Sequence, residues 1–124
     1  MVKAIGVAAA MGDSSRNLWL KIPFSEDYPQ VVRATTLPLL MLGGESKGDP
    51  TGTIGEFVAG MKAGANVRGA LVGRNILFPG KDDLLAAALA VNRVVHAGAS
   101  TEEAVDFLMK NRDIHLDALT RYVK

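Results

Sequence analysis

Six consecutive apolar residues, Leu37-Pro38-Leu39-Leu40-Met41-Leu42, stop abruptly at Gly43-Gly44. No polar residue alternates within this run, which fits a strand buried on both faces, as in parallel sheets. Two other short runs are punctuated in the same way. Leu18-Trp19-Leu20-Lys21-Ile22 stops at Pro23, and Val67-Arg68-Gly69-Ala70-Leu71-Val72-Gly73 leads straight into Arg74-Asn75-Ile76. Each reads as a strand, because a short apolar run bounded by proline or glycine is too brief for a helix.

Helical patterns fill the space between them. Residues 3–11 are rich in Ala and stop at Gly12, which suits a helix, although Val2, Ile5 and Val7 would also tolerate a strand. A short helix follows Pro23, with Ser25 or Asp27 capping and Pro29 in its first turn, ending near Ala34. A longer one covers residues 53–63, placing Ile54, Phe57, Val58 and Met61 on one face and stopping at Gly64. Asp82 or Asp83 caps a helix over 84–96 that Gly98 ends, and Ser100 with Glu103 forms a capping box for the next. Residues 114–123 are expected to add a helical tail. Strands alternating with helices imply parallel pairing. The expected fold class is therefore α/β, with about three βα units plus extra helices. Three parallel strands leave two open edges, and a closed barrel of eight such units needs about 250 residues, so the chain reads like the end of something longer.

Composition narrows the function. The chain has 124 residues, 48% hydrophobic and 22% charged, a globular balance suited to one ordinary domain. Its 14 Lys and Arg against 13 Asp and Glu give a net charge of +1, which offers no electrostatic case for a nucleic-acid or anionic-membrane partner. The absence of Cys excludes a disulfide scaffold, a thiolate metal site and a cysteine nucleophile, and His96 and His115 stand apart from each other. The run at 37–42 is too short to span a bilayer, and the N-terminus lacks the layout of a cleaved signal, so a cytoplasmic address is expected.

Three groups of residues could carry chemistry. Neighbours along a strand alternate faces, so Lys21 shares a face with Trp19 while Leu18, Leu20 and Ile22 point the other way. In a sheltered interior such a lysine would lose hydration and offer a nucleophilic amine able to form a Schiff base. The plain alternative is an ammonium that reaches solvent or a carboxylate, and spacing alone favours it. Gly43 and Gly44 end one strand, and Gly73 and Arg74 end the next. Glycine turns admit close approach of backbone amides to an anion, and a guanidinium beside a helical start adds a phosphate ligand. The competing reading is tight turns and a solvated Arg74. Asp49, Asp82 and Asp83 precede helices and read as caps, and His96 suits a last helical turn. No G-x-G-x-x-G follows a strand, so a dinucleotide fold has no support.

The motifs W-L-K-I-P (19–23), T-L-P-L-L-M-L-G-G (36–44) and N-V-R-G-A-L-V-G-R-N-I-L-F-P-G (66–80) together resemble the last three units of class I Schiff-base aldolases. That group includes the deoxyribose-phosphate, tagatose-bisphosphate and archaeal-type fructose-bisphosphate aldolases. The likeness is closest to an actinobacterial (β/α)8 family linked to sugar or inositol catabolism. It implies the C-terminal portion of a TIM (β/α)8 barrel, with residues 1–98 as partial barrel and 99–124 as a helical extension. It further implies Lys21 as the imine-forming residue, and Gly43, Gly44, Gly73 and Arg74 as ligands of the substrate phosphate. No metal or other cofactor is called for. The acid and base residues of the family's first five strands have no counterpart here, so the resemblance implies a fragment or half of an aldolase, inactive as this chain alone. The expected partners are a phosphorylated sugar and either a second copy or a complementing N-terminal half-barrel. A non-catalytic phosphate-binding or assembly domain that forms a homo-oligomer is the alternative.

Overall fold

In the computed structural model, residues 1–112 and 114 are described. Helix α1 (Val2–Ala9) is followed by strand β1 (Leu20–Pro23), helix α2 (Tyr28–Arg33), strand β2 (Leu39–Leu42) and helix α3 (Thr51–Lys62). Then come strand β3 (Val67–Leu71), the single turn α4 (Arg74–Leu77), and helices α5 (Leu84–Ala97) and α6 (Thr101–Lys110). The tail expected over 114–123 lies, apart from Ile114, outside the described residues. Among the described residues no helix is long and apolar enough to cross a membrane.

The three strands pair in parallel in the order β1-β2-β3. Leu20 stands opposite Leu39, and Pro23 opposite Leu42. Pro23 fits a strand because β1 lies at the sheet's edge, where a missing N–H breaks no ladder bond. Between β2 and β3 the register slips at Leu39 and Leu40, so Arg68 is the extra residue of a bulge. Gly69 follows it with φ of +152°, a backbone conformation that a side chain would resist. Asn66 locks the start of these strands, its Nδ2 donating to the carbonyls of Val32 at 3.1 Å and Thr35 at 2.9 Å.

One face of the sheet carries the core. Leu20, Ile22, Leu39, Met41 and Val67 are buried there with Tyr28, Val31, Ile54, Phe57 and the alanines of α5. Each large apolar side chain enclosed in this way stabilises the fold by about 1.5–3 kcal/mol. Gly60 lets α3 settle on the sheet, since a Cβ there would collide with the Met41 sulfur. Helix α6 joins the same core through Ala104 and Leu108. Its capping box forms as the sequence indicates, with Ser100 N–H donating to Glu103 Oε2 at 2.8 Å and Glu103 N–H to Ser100 Oγ at 3.2 Å.

The other face differs from expectation. Leu40 and Leu42 are only half-buried, Lys21 is exposed, and Leu71 is 52% exposed. The run at 37–42 was expected to be covered on both sides. An unbroken apolar sequence also suits a strand whose second side is only partly shielded, because adjacent leucines cover one another. The expected C-terminal portion of a (β/α)8 barrel is therefore corrected. The described residues form an open three-stranded sheet with its helices, β1 and β3 each pairing on one side only. Barrel closure needs strands to pair all the way round, and these do not.

Candidate functional site

Parallel pairing sends the C-terminal ends of all three strands to one edge of the sheet, which is where open α/β sheets place their ligands. Here an open cleft of about 260 Å³ is lined by Lys21, Gly43, Gly44, Gly73 and Arg74, with Leu42 and Leu71 as apolar walls. All five residues that the sequence singled out thus meet in one place, although they come from three separate strand–helix units.

Each arrives for a local reason. Lys21 is on β1, where Leu20 and Ile22 take the buried side and alternation sends the lysine to the open one. Gly43 and Gly44 turn the chain away from β2. Gly44 has φ of +67°, and a Cβ on Gly43 would meet Val72 Cγ2 at 2.5 Å. Gly73 ends the extended backbone after β3 and precedes α4, which carries Arg74 at its first position.

Two positive side chains and three glycines give the cleft the charge and the backbone access that an anion would need. The expected help from a helix start is not there, because α4 is only four residues long. So short a helix sums few peptide dipoles. The cations carry the electrostatics instead. One carboxylate opposes them: Glu45 Oε1 accepts from Arg74 Nη1 at 3.3 Å, with side-chain exposures of 85% and 58%. Exposed pairs of this kind hold by about 0–1 kcal/mol, so an arriving dianion can displace Glu45.

Around the cleft, the β2–α3 loop and the loop after α4 are tied together. Ser46 Oγ donates to the Phe78 carbonyl, and the Asn75 side-chain amide donates to the Gly43 carbonyl. Gly80 sits so close to Gly48 that any Cβ would run into the Gly48 carbonyl. Asn75 and Glu45 were missed by motif reading. For Asn75 the sequence carried no local signal, because its partner, the Gly43 carbonyl, lies 32 positions away.

The remaining candidates have structural positions. Asp83 is 6% exposed and caps α5, accepting from Leu85 N–H at 2.7 Å and Ala86 N–H at 2.9 Å. Asp82 pairs with Arg112 at 2.6 Å. The Asp49 carboxyl is held below its usual range, first by the Thr51 backbone N–H it accepts at 2.9 Å. His96 lies in the last turn of α5. Among the described residues no group of His, Cys, Asp and Glu could hold a metal ion.

A family model for Cgl0159-like proteins matches residues 1–95, and the chain belongs to that family. The crystal structure of Cgl0159 from Corynebacterium glutamicum, a structural-genomics target, is similar at 34% identity with a TM-score of 0.72. The match covers 79% of this chain and 32% of that one, so the chain spans about a third of the solved protein's length. No curated protein matches the chain. These findings correct the expected barrel aldolase acting through a Schiff base. The family is Cgl0159-like, the fold described is a three-stranded open sheet, and Lys21 is exposed on its partly shielded face. An imine-forming lysine is ordinarily activated by a desolvating pocket or a neighbouring cation, and exposure removes the first of these.

Proposed function

We propose that this member of the Cgl0159-like family binds a small phosphorylated ligand, a sugar phosphate by class, with the phosphate seated in the cleft at the strand ends. Arg74 and Lys21 supply the opposite charge, and the corners at Gly43-Gly44 and Gly73 let backbone come close to the phosphate oxygens. Leu42 and Leu71 would lie beside the ligand's carbon skeleton. The role is binding, without a catalytic step assigned to this chain.

What carries the reading is a single observation: four residues chosen for anion chemistry on sequence grounds and Lys21, chosen for its amine, are scattered over more than 50 positions yet line one cleft. Titration of the full chain with inorganic phosphate, ribose 5-phosphate and ribose, followed by calorimetry, tests it. Phosphate and ribose 5-phosphate are expected to bind and ribose to be ignored. Arg74→Ala and Lys21→Ala should each lower ribose 5-phosphate affinity by about tenfold, the scale of one charge-assisted contact. Equal binding of ribose and ribose 5-phosphate, or no loss in either variant, would overturn the proposal.

A further inference from the structure

Asn75 is 3% exposed and sits in the single turn that carries Arg74. Its Nδ2 donates to the carbonyl oxygen of Gly43, 32 positions away in the chain. Its Oδ1 is buried and accepts no hydrogen bond among the described residues. A half-satisfied buried amide is costly, and the hydrogen bond to the Gly43 carbonyl offsets only part of that cost. What the amide also supplies is geometry.

No peptide bond of the described chain is cis. In a trans peptide, the C=O of one residue and the N–H of the next point in opposite directions across the same plane. Asn75 draws the Gly43 carbonyl inward, toward the buried side of the corner. The N–H of Gly44 must then point outward, and Gly44 lines the cleft. Without that bond the Gly43–Gly44 peptide is free to rotate, because glycines on both sides tolerate either orientation. A rotated peptide would present a carbonyl oxygen to the anion and repel it. The corner also packs directly on the amide, since a Cβ at Gly43 would lie 3.2 Å from Asn75 Nδ2.

We infer that Asn75 is a positioning residue for the anion cleft: by holding the Gly43 carbonyl it turns the Gly44 N–H toward the bound phosphate as a donor. The inference rests on the phosphate reading given above and deepens it. Asn75 itself does not touch the ligand, and acts on it only through one peptide plane.

The test is titration of the full-length, 15N-labelled chain with inorganic phosphate, observing the Gly44 backbone amide and the Arg74 side-chain Nε–H by NMR. In the unsubstituted protein both signals are expected to move along one binding curve. N75A and N75D, neither of which keeps the amide donor, should weaken phosphate binding by about tenfold. They should also abolish the Gly44 response while leaving that of Arg74. A residue that merely supported the fold would lower the melting temperature without separating the two signals. The inference is overturned if phosphate moves Arg74 but not Gly44 in the unsubstituted chain, a measurement that needs no variant to fold. Retention of affinity and of the Gly44 response in N75A overturns it as well. If neither signal responds in the unsubstituted chain, the phosphate reading fails and takes this one with it, a result distinct from the other two.

Discussion

Replacing Tyr28 by Phe should make the protein more stable, although it deletes a polar group and adds nothing. Tyr28 is fully buried at the start of α2, and its hydroxyl is buried with no hydrogen-bond partner among the described residues. Its ring lies 5.2 Å from that of Phe24 at a tilt of 34°, a contact that Phe keeps. An unsatisfied buried hydroxyl costs about 1–3 kcal/mol in lost hydration. Removing the oxygen leaves a small void, which at about 24 cal/mol per Å³ costs roughly 0.5 kcal/mol. The first effect is larger, so Tyr28→Phe should gain about 0.5–2.5 kcal/mol. Urea unfolding at pH 7 would read this as a higher midpoint with an unchanged slope. The pH dependence supplies an independent check. Burial pushes the Tyr28 phenol up from 10.0 to about 12. A pKa raised on folding contributes stability that is fully present below pH 10 and is lost as pH climbs through the folded value. The advantage of Tyr28→Phe should therefore widen between pH 10 and 12. A variant less stable than the parent at pH 7, or a gap that stays flat across that alkaline window, would refute the reasoning.

Asp83→Ala removes the acceptor for two backbone N–H groups at the start of α5, and should cost about 1–2 kcal/mol, read as a lower thermal midpoint. Gly80→Ala should cost about 2 kcal/mol or more, because φ is +76° and the new Cβ runs into the Gly48 carbonyl. Gly12→Ala, at φ of +93° but in open space, should cost only the backbone strain, so the difference between the two variants in a thermal melt isolates the loop clash. Glu45→Gln frees Arg74 from its exposed partner and should tighten phosphate binding by about two- to fivefold in calorimetry, the worth of a surface pair.

The boundaries of α5 and α6 were legible because their signals are local. Ser100 and Glu103 write a capping box within four residues, and Asp83 and Gly98 bracket α5 with a cap and a left-handed stop. Alternation along β1 also came through, with Leu20 and Ile22 inside and Lys21 outside. Sheet closure is a different matter. It depends on how many strands pair and on what covers the second face, and neither is encoded in any one segment. The run at 37–42 looks the same whether its second side is sealed or half-open, which is why the barrel expectation failed while the strand itself held. Asn75 was hidden for a related reason: its partner is 32 residues away, and only the fold brings it to Gly43.

The candidate site shows how far that dependence on register goes. Lys21 pairs with Leu40, and the strand order carries the same level of the sheet on to Gly69 of β3. Leu42 and Leu71, one step further along the paired strands than Met41 and Ala70, stand opposite each other at the cleft walls. Slip β1 by one residue against β2, and Lys21 exchanges faces with Ile22, burying a charge and exposing a core side chain. Slip it by two, and the lysine keeps its face but moves about 6–7 Å along the strand, far from the Gly43 corner. The bulge at Arg68 matters in the same way, since it brings Leu71 level with Leu42 and so sets where Gly73 and Arg74 begin. Convergence of the two cations is thus a property of the sheet's alignment rather than of any motif. Inserting one alanine after Ala70, which sets Leu71 one step past Leu42, should disperse the cleft and abolish phosphate binding while β1 and β2 stay paired. Undiminished binding after that insertion would mean that the anion is held by the loops alone.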